Sequence, residues 1–267
     1  MREQSKDIYQ YAAYYDVLFA RDYPAECDFL EACLARHGQR TCGERSFLEL
    51  GCGPARNGRE LSRRGFRTVG LDLQPRMLNY AQIEAQREAV TLELVEADLI
   101  DFDLTRQVAM AACMWDTILL ILKNEDMVRH LRAVARNLLP GGIYVIETTH
   151  PRALLNPYDG SAYRGRVDDT DIEVVWGLPD DPYDAVAQQH LVTVRLTARR
   201  LGQGQDQIID SYVEQLPQRL YQVQELRALI DLSGAFSEVH YYGRSSLPLL
   251  PLSNDPECNG MIAVLVK

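Results

Sequence analysis

The stretch "RSFLELGCGPARNGRELSRRG", residues 45–65, constrains the fold more than any other part of the chain. An apolar run (Phe47, Leu48, Leu50) meets two glycines, Gly51 and Gly53, and a basic amphipathic segment follows. Strand, tight turn and helix in that order open an alternating α/β unit, and the question is what small molecule the turn holds. The pattern then recurs. Strand 66–71 leads to a helix from Pro75, and strand 91–95 to a short acidic loop. Strand 108–114 leads to helix 125–138, and strand 143–147 follows a turn at "LLPGG". Parallel neighbours need crossover connections, so this alternation predicts a doubly wound α/β sheet. Ligands of such sheets bind beyond the carboxyl ends of the strands, where residues 49–53, Asp72, Asp98 and residues 115–117 fall.

Around this core the grammar differs. Ahead of it, a tyrosine-rich helix is expected over residues 8–19 (Tyr11, Tyr14, Tyr15, Leu18), and Pro24 opens a second helix with Phe29, Leu30, Cys33 and Leu34 on one face. After Glu147, "HPRALLNPYDGSAYRGRVDD" reads as loop and "DIEVVWGLPDDPYD" as a strand ending in a turn. Two further strands are joined through a turn at 202–206; helical spacing returns at 223–232, and "FSEVHYYG" and "GMIAVLVK" read as closing strands.

The bulk numbers exclude some functions. With 38 acidic against 28 basic residues the formal charge is −10, which argues against a nucleic-acid partner needing a dense basic face. The six cysteines form no Cys-x-x-Cys pair and no zinc spacing, so no metal is expected. No apolar run reaches membrane length, and "MREQSKDIYQYAAYYD" lacks the apolar centre of a signal peptide; a cytoplasmic protein without a membrane partner is expected.

The glycine turn is not a dinucleotide fingerprint, because Arg56 stands where G-x-G-x-x-G needs its last glycine. Glu49, two residues ahead of Gly51, suits an ammonium group better than a pyrophosphate. Asp72 ends the second strand, where its carboxylate either accepts both hydroxyls of a ribose or caps the helix at Pro75. Asp98 either takes an exocyclic adenine amine, with Leu99 beside the ring, or belongs to a solvated acidic loop with Glu96, Asp101 and Asp103.

Together "LELGCGPAR", the Asp72 strand end, "EADLIDF" and "LLPGGIYVIE" resemble the class I S-adenosylmethionine (SAM)-dependent methyltransferases, over residues 8–149 plus the last helix and two strands. The resemblance implies a doubly wound, seven-stranded, mostly parallel sheet with an N-terminal helical cap and a β-rich insertion after strand five. It divides the chain into cap plus SAM-binding core (1–149), an acceptor lid (150–220) and a core-completing end (221–267). Gly51 and Gly53 then pass under the methionyl part of SAM, Asp72 holds the ribose, and Asp98 with Leu99 holds the adenine; Glu49 matches the family's acid ahead of the glycines, and Arg56, Leu73 and Met114 flank the same site. One departure is Ala55 in place of the usual third glycine.

"YAAYYDVLFARDYPAE" also looks like the start of the amino-sugar N-methyltransferases, which makes Tyr11, Tyr15 and Tyr23 contacts to the SAM carboxylate or the acceptor; otherwise they are core residues with wet hydroxyls. Past strand four, Trp115 is a wall or a cation–π face for an amine, Asp116 a cation holder or proton acceptor, and Thr117 a further acceptor contact. His150 is either a base or an ordinary loop residue, and Tyr158, Tyr163 and Trp176 are lid candidates. "LLNPYDG" fails as the Asn-Pro-Pro-Tyr motif of adenine methylation, having one proline too few and lying after strand five. The implied activity is SAM-dependent methylation of nitrogen or oxygen on a small-molecule acceptor, with S-adenosylhomocysteine as product; a homodimer is compatible with it. The alternatives are a SAM-binding protein that does not methylate, and an NAD(P)-dependent oxidoreductase.

Overall fold

The computed structural model describes residues 8–38, 41, 43–155, 160–200 and 207–267. Five strands alternate with helices along the first half: β1 (Ser46–Leu50), β2 (Arg67–Asp72), β3 (Leu92–Glu96), β4 (Val108–Cys113) and β5 (Leu138–Thr149). Five more follow, β6 (Ser161–Val167), β7 (Thr170–Trp176), β8 (Tyr183–Asp184), β9 (Gln189–Arg200) and β10 (Gln207–Arg219); β11 (Glu238–Tyr242) and β12 (Gly260–Val266) close the chain. The first five and last two form one seven-stranded sheet in the order β11-β12-β5-β4-β1-β2-β3. Only β12, antiparallel to both β5 and β11, breaks the parallel arrangement. Every residue of β1 and β4 is buried, as expected of central strands covered by helices on both faces. The strand order reverses between these two, and a crevice opens at their carboxyl ends.

The helices are α1 (Ala12–Leu18), α2 (Tyr23–His37), α3 (Arg56–Arg63), α4 (Pro75–Arg87), α5 (Asn124–Asn137) and α6 (Val223–Ser233). Asp22 caps α2 by accepting the Ala25 N–H at 3.1 Å, and Pro24 sits in its first turn, where no N–H is missed. The single helix expected over residues 8–19 is instead a 3-10 turn (Ile8–Gln10) followed by α1. The break falls at Tyr11, whose ring is stacked between Tyr14 and Tyr212 and whose hydroxyl donates to Asp210 on β10 at 2.5 Å. Tertiary contact with a distant strand overrides the local helical pattern there.

Two other expectations are corrected. The "LLPGG" turn lies inside β5 as a bulge: pairing with β4 moves from Val108↔Leu138 to Met110↔Ile143. The extra residues are satisfied by the chain's end, Gly141 N–H donating to the Lys267 carbonyl and Lys267 N–H to that of Gly142. "SAYRGRV", expected as loop, is β6. Its polar composition carries little alternation, and antiparallel pairing with β7 decides its state.

Strands β6, β7, β9 and β10 form a second, antiparallel sheet in the order β10-β9-β7-β6, with β8 beside β9. Its inner face packs Ile172, Val174, Val192, Val194 and Leu196 against Leu18 and Phe19 of the N-terminal segment. On β6, a Cβ at Gly165 would lie 2.6 Å from Val17 Cγ1, so only glycine lets α1 approach this closely. The expected 202–206 turn lies outside the described residues. Among the described residues no helix is long and apolar enough to cross a membrane.

Candidate active site

A cavity of about 510 Å³ lies between the carboxyl ends of β1, β2 and β4 and the inner face of the second sheet. Its floor begins at the glycine turn. Gly51 has φ +61°, and a Cβ there would sit 2.4 Å from Thr117 Cγ2, so the turn and Thr117 fit only with a bare backbone. Gly53 N–H donates to Asp72 Oδ2 at 2.7 Å, and Gln74 N–H to Oδ1 at 2.8 Å. Asp72 therefore both ties the two strand ends together and lines the cavity. A carboxylate has about four acceptor positions, which leaves capacity for two hydroxyls. Burial holds its pKa above the ordinary carboxylate value, opposed by the N–H groups of Gln74, Gly53 and Leu73.

Beside it Leu73, 60% exposed, offers an apolar face at the rim. Asp98 Oδ1 accepts the Ile100 N–H at 2.8 Å, closing the loop that lays Leu99 along the cavity. That loop is fixed from below by His130, whose ring nitrogens meet the Leu99 carbonyl (2.6 Å) and the Tyr144 hydroxyl (2.7 Å). Burial pushes the His130 pKa down to about 4, so the ring is neutral and donates to Leu99 while accepting from Tyr144.

Past β4, Trp115 and Asp116 are both left-handed (φ 60° and 57°), a conformation non-glycine residues keep only when surroundings enforce it. Here the enforcement is visible. Asp116 Oδ1 accepts from the Thr148 hydroxyl (2.9 Å) and Thr149 N–H (2.6 Å), and Oδ2 from the Thr149 hydroxyl (2.9 Å). Trp115 N–H donates to Glu147 at 3.1 Å. Arg21, paired with Glu147 at 2.9 Å, lies 4.0 Å over the Trp115 ring, so one face expected for an amine is already occupied by a guanidinium.

The roof is aromatic. Phe19 packs against Tyr15 (centroids 4.6 Å apart), Tyr163 (4.8 Å), Trp176 (5.8 Å) and Trp115 (6.0 Å), and all five rings line the cavity. The Tyr15 phenol is held protonated, chiefly by burial and then by the charge of Asp72.

Gly51, Gly53, Asp72, Leu73, Asp98, Leu99, Trp115, Asp116, Thr117, Tyr15 and Trp176 thus meet at one cavity. The other candidates lie off it. Glu49 is buried behind the turn and accepts the Gly58 N–H at 2.9 Å, capping α3 from the preceding strand. Arg56 binds the Asp16 carboxylate and, at 2.9 Å, the Asp16 carbonyl, tying α3 to α1; Tyr23 lies under its guanidinium and donates to the Phe19 carbonyl. Met114 is a core residue, and Tyr11 is stacked in the second sheet. His150 is buried, with Nε2 at 3.0 Å from the Ser253 carbonyl and Nδ1 accepting the Arg152 N–H, so neither nitrogen is open to a substrate proton. Tyr158 lies outside the described residues. The cavity also takes in Tyr9, Phe19, Gln74, His190 and Gln218, which motif reading passed over. For His190 a signal existed: it shares the inward alternation of Val192, Val194 and Leu196.

Residues 47–142 match the model of a methyltransferase domain family. Among solved structures, the chain is similar to a SAM-dependent methyltransferase from Clostridium acetobutylicum (TM-score 0.72, 16% identity, 96% of this chain and 97% of that one). It is also similar to DesVI from Streptomyces venezuelae (TM-score 0.70, 22% identity, 96% of each chain). Among curated proteins, the dTDP-3-amino-3,6-dideoxy-alpha-D-glucopyranose N,N-dimethyltransferase of Streptomyces fradiae is 30% identical over 128 residues, 48% of this chain and 47% of that one. The cypemycin N-terminal methyltransferase of a Streptomyces species is 30% identical over 107 residues, 40% of this chain and 43% of that one. The matched stretches span only about half the length of most curated relatives.

Proposed function

We propose that this chain, which carries a methyltransferase domain on the class I methyltransferase fold, transfers a methyl group from SAM to the nitrogen of a small-molecule amine. The reading rests on one observation above the others: Asp72 lines the cavity while its two oxygens clasp the glycine turn and the start of α4. On this reading the turn at Gly51 and Gly53 lies under the methionyl part, Asp72 takes the ribose hydroxyls, and Leu73, Asp98 and Leu99 border the adenine. Tyr15 borders the reacting end from the roof and Thr117 from the floor. SAM, when bound, supplies an electrophilic methyl on a positively charged sulfur. The chain's own contribution is to hold the acceptor in line and keep water out, for which oriented contact supplies up to about 7–11 kcal/mol.

The charge pattern supports nitrogen as the target. Three carboxylates, Asp72, Asp98 and Asp116, line the cavity, whereas no lysine or arginine does so among the described residues. Such a lining favours a cationic donor and an ammonium acceptor. Relatives named as amino-sugar N,N-dimethyltransferases support the same choice. The cytoplasm is the compartment proposed for this chemistry.

Calorimetry of SAM with wild type and Asp72→Ala tests the site. Losing two hydrogen bonds at ~1–2 kcal/mol each should weaken SAM by about 2–4 kcal/mol, roughly 30- to 800-fold. Undiminished affinity in the variant would remove the basis for the reading. Turnover is tested by release of S-adenosylhomocysteine with the nucleotide-linked 3-amino-3,6-dideoxyglucose as amine probe; binding of SAM without turnover of this and simpler primary amines would favour a non-catalytic SAM-binding protein.

A further inference from the structure

An ammonium acceptor must lose a proton before its nitrogen can attack, and the residues named so far provide no evident taker. Asp116 has its carboxylate committed to three donors from the end of β5. Of the five histidines, His130 and His150 have both ring nitrogens engaged by protein groups. His37 and His240 stack on each other, 4.1 Å between centroids, outside the cavity. His190 is the one histidine that lines it.

The position follows from strand geometry. His190 is the second residue of β9, on the face that carries the buried Val192, Val194 and Leu196, so alternation turns it inward. Its partners in register are Gln218 on β10 and Tyr183 on β8, and Gln218 and Val192 line the same cavity. The Tyr183 ring meets the imidazole edge-on, with centroids 6.3 Å apart. Behind this pair lies Asp181, a carboxylate with a rigid mount: it accepts the N–H groups of Leu178 (2.8 Å) and Thr193 (2.7 Å) and the Thr193 hydroxyl (2.5 Å). Burial alone would raise the Asp181 pKa, but the Thr193 hydroxyl, these N–H groups and the imidazole charge of His190 bring it below the ordinary value.

We propose that His190 is the proton acceptor of this site, taking the proton of the substrate ammonium directly or through one water. The proposal rests on the amine-methyltransferase reading above. In the balanced step, R–NH3⁺ gives one proton to the imidazole, and the freed nitrogen lone pair forms the N–CH3 bond. The electrons of the broken S–CH3 bond stay on sulfur, the product leaves as R–NH2CH3⁺, and the imidazolium passes its proton to solvent. Asp181 and Tyr183 are titratable groups beside His190, and Asp72, Asp98, Asp116, Tyr9, Tyr15 and Tyr163 share its cavity.

The experiment compares wild type with His190→Gln. With the nucleotide-linked amino sugar as acceptor, kcat/KM at pH 7 should fall about 10²- to 10³-fold, the range for removing a general base. SAM affinity should stay within about twofold, and the loss should shrink as pH approaches the acceptor's own pKa, where it sheds the proton unaided. A loss equal at all pH values, or none, overturns the assignment. A second measurement needs no turnover: the His190 ring C–H signals of S-adenosylhomocysteine-loaded protein are titrated by NMR with and without the amino sugar. The cationic amine should lower the His190 midpoint by on the order of half a pH unit or more, the effect of a neighbouring like charge. An unmoved midpoint overturns the role for His190. A wild type that binds SAM and transfers nothing counts against the amine reading, with the NMR result still deciding His190.

Discussion

The cavity's floor and roof are built on opposite principles. The floor is the carboxyl edge of a parallel sheet, where Gly51, Asp72, Asp98 and Thr117 each follow a strand end and are held by backbone N–H groups or close backbone approach. The roof is α1 and the inner face of an antiparallel sheet, joined by ring contacts around Phe19 and by hydrogen bonds between segments far apart in the chain, such as Tyr11 to Asp210 and Ile8 N–H to Glu214. The floor is held by hydrogen bonds among its own strand ends, and the roof chiefly by ring packing with a few long-range hydrogen bonds.

Removing the hub should break this division most visibly. Phe19→Ala deletes a buried ring with four aromatic neighbours and should cost about 3–5 kcal/mol of stability in chemical denaturation. If floor and roof are independent, SAM affinity should move by less than ~1.4 kcal/mol, tenfold, while the acceptor's KM rises. A SAM affinity that collapses with the ring would show that the roof also shapes the cofactor site.

A smaller effect separates two roles for Glu49 within the floor. Burial, opposed by the N–H groups of Gly58 and Asn57, pushes its carboxyl pKa up to about 8 from 4.5. A raised native pKa means that the folded state keeps a proton the unfolded chain releases. The stabilisation is complete below the ordinary carboxylate pKa and is lost as pH rises through about 8. Between pH 5 and pH 9 native stability should therefore fall on the order of a few kcal/mol, to which Glu26, pushed up to about 7, adds with the same sign. Glu49→Gln keeps an acceptor for Gly58 and should flatten part of this slope in thermal melts, with SAM affinity within about threefold. A large affinity loss with an unchanged slope would return Glu49 to the ligand.

The contrast also explains what could be read from the chain alone. Strand, turn and acid at fixed offsets announce Gly51, Gly53, Asp72 and Asp98, because local geometry determines their positions. Local geometry does not settle Glu49 and Arg56, which belong to the same stretch but turn inward to α3 and across to Asp16; their direction depends on partners in other elements. In the roof, β6 was missed because "SAYRGRV" gains its strand state from pairing with β7, and His190 because the inward alternation it shares along β9 marks a face and not a chemistry. His150 attracted attention by following a core strand, yet the Ser253 and Arg152 backbone claims its ring.

The smallest effect concerns Ala55, which stands where the resemblance leads one to expect a third glycine. Ala55 caps α3 in the left-handed conformation (φ 54°, ψ 44°), with its N–H on the Cys52 carbonyl at 2.7 Å and its own carbonyl accepting from Arg59 at 2.8 Å. A non-glycine residue pays ~1–2 kcal/mol for that conformation, whereas glycine loses ~0.5–1 kcal/mol more unfolded-state entropy. Ala55→Gly should therefore raise stability by about 0.5–1 kcal/mol, read as a shift in the denaturation midpoint at constant slope. The opposing term is the Ala55 methyl, fully buried with Cys52, Leu78 and Ala81. A variant that is less stable would mean that this small cluster outweighs the strain, and that the turn is fixed by packing, as the roof is, more than by its backbone.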